Sequence, residues 1–254
     1  MNGKPSVTSW LPLGGPAGVW RTMRMAACGL VLAGAAGLVL PQPLQPVAAA
    51  ASAAVAANPE LAAAVLRYER GQFGAARRAF ERLARQGVPA ASHNLAVMHL
   101  RRELPGASPR QAEALFRRAA KAGFLSAQFA LAQGLETGQF GRPDLVQAHD
   151  WYEQLAEAGS VPAQVAIGTA YFLGRGRAQD MARAAHWYRQ AARGGDEGAM
   201  YLVASMYEQG DGVPRDLRLA RHWYAEAARQ GDVAAAARLK AWPEAGEAGP
   251  KAPP

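Results

Sequence analysis

Apolar positions along this chain recur with two superimposed periods. The short period is that of an amphipathic helix. Ala148, Trp151, Tyr152, Leu155 and Ala156 fall at i, i+3, i+4, i+7 and i+8, one stripe on a 3.6-residue helix. The long period is 36 residues. It aligns Ala76, Ala112, Ala148, Ala184 and Ala220 in one column, and Ala84, Ala120, Ala156, Ala192 and Ala228 in another. Gly87, Gly123, Gly159, Gly195 and Gly231 form a third, and Ala91, Ala127, Ala163, Ala199 and Ala235 a fourth. Between them stand Ala79-Phe80, Leu115-Phe116, Trp151-Tyr152, Trp187-Tyr188 and Trp223-Tyr224. A fixed period of this length marks a solenoid of stacked supersecondary units.

Each unit reads as two antiparallel helices. Asp144, Asp180 and Asp216 stand ahead of the second helix, where a carboxylate can cap free backbone amides. Gly159 and its equivalents end that helix. The first helix carries Leu95, Leu131, Ile167 and Val203 in one column, with Ala96, Ala132, Gly168 and Ala204 beside it. Those small residues allow close approach of the two helices. Gly138, Gly174 and Gly210 close the first helix, and the turns GQFGRPD, GRGRAQD and GDGVPRD lead to the capping aspartates. The spacing places the Trp-Tyr pairs in the inter-helix core.

The predicted fold class is therefore an all-α solenoid of about five helix-turn-helix repeats over residues 61–242. Its units are drawn at about 61–91, 92–127, 128–163, 164–199 and 200–235, with a capping helix over 232–242. The first unit has Tyr68-x-x-Gly71 only nine residues before Phe80, so its inter-helix turn is about five residues short. Pro243 stops the last helix, and residues 243–254 (PEAGEAGPKAPP) are expected to be a disordered tail.

The N-terminal part has a different character. Arg21 and Arg24 precede an apolar run from Met25 to Leu40, followed by PQPLQP and then small residues to Ala57. That is the layout of a signal peptide and Ala/Pro-rich leader over 1–53, with a linker at 54–60 and cleavage expected near residues 50–56. The expected location is the periplasm. The alternative is an inner-membrane anchor at residues 25–40, although these sixteen residues fall short of the roughly 20 needed to span a bilayer. Cys28, the single cysteine, rules out a disulfide framework or a cysteine-based zinc site.

Of the formal charge of +8, Lys4, Arg21 and Arg24 belong to residues 1–57, which hold no acid. The repeats keep a mild excess of +5 without a run of like charges. Nucleic-acid binding, which needs basic residues gathered on one face, is not expected. Catalytic patterns are missing: there is no HExxH, GxSxG, SxxK or P-loop. The G-x-G pairs at Gly174/Gly176 and Gly210/Gly212 recur with the repeat and belong to its turns. His186 and His222 share a column and read as surface positions rather than metal ligands. No cofactor, metal or catalytic residue is assigned.

The run AIGTAYFLGRGRAQDMARAAHWYRQAARGGDEGA (Ala166 to Ala199) and its neighbour ending MYEQGDGVPRDLRLARHWYAEAARQGDVAAA resemble the Sel-1-like repeat, a 36-residue relative of the tetratricopeptide repeat. The motif positions are the paired glycines after a tyrosine, the aspartate, the Ala-x-x-Trp-Tyr and the Ala-Ala-x-x-Gly. The resemblance covers roughly residues 60–242. It implies a right-handed superhelix whose concave face holds peptides or partner proteins, and a binding rather than a catalytic role. Exported bacterial members act as adaptors, as regulators of envelope signalling or exopolysaccharide production, or as host-interaction factors. A cysteine-rich branch linked to penicillin binding carries disulfides for which this chain has no cysteines.

The functional surface is expected where the repeats disagree, on the concave side of the first helices. The candidates are Gln128, Phe129, Gln133 and Glu136 in the third unit, then Val165, Thr169 and Phe172 in the fourth. The fifth contributes Tyr201, Ser205 and Glu208. Phe129, Phe172 and Tyr201 stand out, because large aromatic groups dominate binding hot spots. The alternative for these three is packing against the preceding repeat. For the whole chain the expected partner is a protein of unknown identity. Other readings are a regulator holding a membrane sensor in check, a polysaccharide assembly factor, or an envelope enzyme acting on peptidoglycan or β-lactams.

Overall fold

A computed structural model describes residues 58–242; the signal segment, the alternative anchor and the C-terminal tail lie outside them. The described chain is all-helical, in agreement with the solenoid fold class. Its eleven helices are α1 (Pro59–Glu69), α2 (Phe73–Arg85), α3 (Pro89–Leu100), α4 (Pro109–Lys121), α5 (Leu125–Thr137) and α6 (Leu145–Glu157), followed by α7 (Val161–Leu173), α8 (Met181–Arg193), α9 (Glu197–Gln209), α10 (Leu217–Gln230) and α11 (Val233–Lys240). Each helix packs against the one before and the one after it. Helix pairs begin at Pro89, Leu125, Val161 and Glu197, so each repeat starts three residues ahead of the boundaries drawn from sequence. The turn between α1 and α2 spans only Arg70 to Gln72, whereas Gly138 to Asp144 join α5 to α6.

The helix ends follow from local chemistry. Asp144 accepts a hydrogen bond from the Gln147 amide at 3.0 Å, and Asp180 accepts one from Arg183 at 2.9 Å. Asp216 accepts from the amides of Arg218 and Leu219 at 2.9 and 3.1 Å. Two caps were not read from the sequence: Asp196 and Asp232 each accept from an amide three residues on, at 2.7 Å. Such caps each contribute about 1 kcal/mol.

Packing explains the invariant columns. Ala76, Ala112, Ala148, Ala184 and Ala220 are fully buried, as are Ala91, Ala127, Ala163, Ala199 and Ala235. At Gly168 a methyl group would stand 3.1 Å from the Tyr188 ring, so α7 and α8 approach as closely as the small-residue column requires. The second glycine of each G-x-G pair has a distinct task. A methyl group at Gly212 would lie 2.2 Å from the Met181 carbonyl carbon and oxygen. At Gly176 it would lie 2.6 Å from the Leu145 Cβ. Each turn therefore rests on the first residues of the preceding repeat's second helix. Leu217, the equivalent of Leu145 and Met181, meets no such turn among the described residues and is 38% exposed.

The Trp-Tyr pairs divide their work unevenly. Tyr152, Tyr188 and Tyr224 are buried, while Trp151, Trp187 and Trp223 are only half-buried. The tyrosine, not the tryptophan, is the core residue. Trp151 nevertheless packs against both halves of the hydrophobic core, the half running from Leu61 to Ala148 and the half running on to Ala235.

Candidate functional site

The expected binding residues lie on the first helices of the third to fifth repeats: Phe129, Gln133 and Glu136 on α5, Val165, Thr169 and Phe172 on α7, and Tyr201, Ser205 and Glu208 on α9. All nine are half-buried. The 36-residue register sets them in three columns along one face, and each repeat organises its three around the tyrosine of its own second helix. The Phe129 ring meets Tyr152 edge-on with centroids 5.7 Å apart, Phe172 meets Tyr188 at 6.3 Å, and Tyr201 meets Tyr224 at 5.3 Å. These ring contacts are with the second helix of the same repeat, not with the preceding repeat. These aromatics are seated on the core by one edge and still carry exposed surface.

The tyrosine hydroxyls reach the same face. Tyr152 donates to a Glu136 carboxylate oxygen at 3.0 Å, Tyr188 to the Thr169 hydroxyl at 3.0 Å, and Tyr224 to a Glu208 carboxylate oxygen at 3.0 Å. A buried phenol loses its water and needs such an acceptor. Glu136, Thr169 and Glu208 therefore have a structural duty that the sequence reading did not anticipate. The available signal was the separation of 16 residues between each glutamate and its tyrosine, present in the third and fifth repeats. Burial raises the phenol pKa of Tyr152, with the Glu136 charge acting in the same direction. Burial pushes Tyr188 up to about 12 against a small opposing effect of the Thr169 bond, and Tyr224 is raised by burial and then by Tyr201.

Other candidates are committed in similar ways. Thr169 also donates to the Val165 carbonyl at 2.8 Å, and Ser205 accepts from the Gln209 amide at 3.2 Å. Arg238 of α11 pairs with the Glu208 carboxylate, which ties the last helix to the fifth repeat. Gln128 has a structural duty of its own. Its amide donates to the Ala120 carbonyl at 3.1 Å, as Gln164 does to Ala156, so it closes the preceding helix.

A second network couples the third and fourth repeats away from these columns. Tyr171, buried on α7, donates to Glu153 at 3.1 Å and accepts from Arg177 and Arg183 at 2.9 and 2.7 Å. Arg177 itself pairs with Glu153 at 2.8 Å. Tyr68, Arg101 and Glu103 repeat the arrangement between the first two repeats. His186 and His222 are exposed and stand edge-on to Trp187 and Trp223, with centroids 5.0 and 5.2 Å apart. Among the described residues, no group of three or more His, Cys, Asp or Glu side chains could hold a metal ion, and no helix is long and apolar enough to cross a membrane.

Stacked helix pairs that recur every 36 residues, with a buried phenylalanine or tyrosine at the same position of each second helix, define a helical-repeat solenoid. The Sel1 repeat pattern matches residues 89–124, 125–160, 161–196 and 198–232, and the chain belongs to the Sel1 repeat family. Its fold is similar to that of a protective antigen of uropathogenic Escherichia coli with an SLR fold, with 29% identity and a TM-score of 0.65 over 77% of this chain and 41% of the antigen. It is also similar to a Sel1 repeat protein from Oxalobacter formigenes, with 32% identity and a TM-score of 0.57 over 65% of this chain and 48% of that one. The chain thus spans less than half the length of either of these structures. No curated protein matches it significantly. Sel1 repeat proteins are generally protein-interaction scaffolds and typically non-catalytic.

Proposed function

We propose that this protein is a non-catalytic scaffold of the bacterial envelope, exported to the periplasm. In this reading it binds a segment of a partner protein along the concave face of its first helices. The carrying observation is the three-column surface of α5, α7 and α9, in which Phe129, Phe172 and Tyr201 are each seated edge-on against a buried tyrosine. Aromatic groups held this way lose little conformational entropy when a partner covers them, which favours their use as anchors. Gln133, Glu136, Val165, Thr169, Ser205 and Glu208 supply the polar and apolar surface between them, suited to an extended segment or a helix. Export rests on the basic and apolar segments before residue 54.

The test is a cross-linked pull-down from envelope extract with the wild-type protein beside the Phe172→Ala/Tyr201→Ala double variant. Recovery of a defined protein by the wild type, and its loss with the double variant at unchanged helicity, is the expected result. Equal recovery with both would move the binding surface away from these columns.

A further inference from the structure

The inter-helix turn of the second repeat departs from the other turns in a way that packing does not require. Positions 138, 174 and 210 are glycines with φ of 72°, 65° and 85°, whereas the equivalent position in this repeat is Arg102, with φ of 57°. Among the described residues Arg102 is the only non-glycine with positive φ. A Cβ in this region crowds the following carbonyl oxygen, and such strain persists where the surroundings or a function demand it. The hydrogen bonds here, Arg102 N–H to the His99 carbonyl at 3.3 Å and Glu103 N–H to the Met98 carbonyl at 3.1 Å, are those glycine makes without strain. The Arg102 side chain is exposed and makes no hydrogen bond or ion pair among the described residues.

A cavity of about 600 Å³ opens beside this turn, against the turn of the third repeat. That volume lies within the range of small-molecule sites, about 300–1,000 Å³. His99, Arg101, Arg102 and Gln139 line it with nitrogen donors, Ala107 and Pro109 add apolar walls, and no carboxylate lines it. Arg101 is steadied by donating to the Tyr68 hydroxyl at 2.9 Å. The His99 Nδ1 accepts the Ser108 amide at 3.4 Å, which leaves its Nε2 as the N–H donor. Burial, with Arg77 adding to it, holds this imidazole below its usual range, so it is neutral at pH 7 and adds no like charge beside the guanidinium groups.

We infer that this cavity binds a small ligand through an oxyanion group, with Arg102 as its principal contact. A guanidinium presents paired N–H donors that match two oxygens of a phosphate or a carboxylate. His99 and Gln139 complete the donor set, and Ala107 and Pro109 accommodate a short apolar stem. The departure from glycine at position 102 is then explained, because an unstrained glycine would leave the cavity without its free cation.

The experiment titrates inorganic phosphate, and separately succinate, into the purified protein at fixed pH and ionic strength. The His99 Cε1–H resonance, assigned with a His99→Gln variant, reports binding. The expected result is a saturable shift of His99 with at least one anion; the tighter of the two identifies the ligand group as phosphoryl or carboxyl. Arg102→Gly should weaken that binding at least tenfold while raising the melting temperature, since glycine relieves the strained φ. Arg102→Asn, which also tolerates this backbone, should weaken binding equally, and Arg218→Gly on a distant exposed site should leave it unchanged. No saturable shift with either anion would overturn the proposal. So would Arg102→Gly or Arg102→Asn binding within twofold of wild type.

Discussion

Gly212→Ala is the substitution that most directly probes how one repeat rests on the next. Two separate costs meet at this position. The first is conformational: φ is +69°, and an alanine there pays about 1–2 kcal/mol for the left-handed backbone. The second is steric, because the new methyl would lie 2.2 Å from the carbonyl carbon and oxygen of Met181 and 2.7 Å from the Ala182 nitrogen. These are backbone atoms at the start of α8, so no side-chain rotation relieves the overlap and the fifth repeat's turn must lift away. Overpacking of this kind costs about 1–3 kcal/mol, for a combined loss of about 2–5 kcal/mol. Gly195→Ala provides the control, since its φ is +94° but a methyl there meets nothing within 4 Å. Only the conformational part, about 1–2 kcal/mol, applies to it. Urea unfolding followed by circular dichroism measures both. Because each repeat is stabilised by its neighbours, hydrogen exchange in Gly212→Ala should accelerate first in α10 and α11, ahead of α3 to α7. Equal destabilisation by the two substitutions, within about 0.5 kcal/mol, would refute the argument that this glycine is needed for contact as well as for conformation.

Two further outcomes follow from the tyrosines. Tyr188→Ala should cost about 3–5 kcal/mol and exceed Trp187→Ala, expected near 2–3 kcal/mol because the indole is only half-buried; comparison of their urea midpoints checks the order. The raised Tyr188 pKa also makes a signed prediction. An unfolded phenol ionises near 10.0 and the folded one near about 12, so the stabilisation from this group is complete below pH 10 and is lost as pH rises toward 12. The loss amounts to about 2–3 kcal/mol at the upper end. Thermal unfolding between pH 9 and pH 12 should therefore be less pH-sensitive in Tyr188→Phe than in wild type, with Tyr152 and Tyr224 supplying the dependence that remains.

Much of this molecule is written locally. The 36-residue register, the aspartate caps and the glycine-closed first helices depend on residues three to five apart, and the structure places them as the columns demand. The short first turn was legible in the same way, from the nine residues between Gly71 and Phe80. The candidate columns were legible as variation among repeats, but their chemistry was not. That Glu136, Thr169 and Glu208 accept hydroxyls from buried tyrosines depends on side chains 16 to 19 residues apart, meeting only after α6, α8 and α10 fold back. The Gln128 bond was hidden for the same reason, since its carbonyl partner is on the preceding helix.

What the sequence determined by itself is the repeat: two helices, their ends and their apolar stripes, because helix periodicity and capping are local properties of the chain. Tertiary structure decided how those units divide labour. It buried each tyrosine and left its neighbouring tryptophan at the margin, although both lie on the same apolar stripe. It set Gly212 against the backbone, and Gly176 against the Leu145 side chain, of the preceding repeat's second helix, and gave Arg102 a left-handed backbone beside a cavity. Each of these outcomes depends on the distance between groups remote in sequence, and only the stacking of one helix pair on the next fixes that distance.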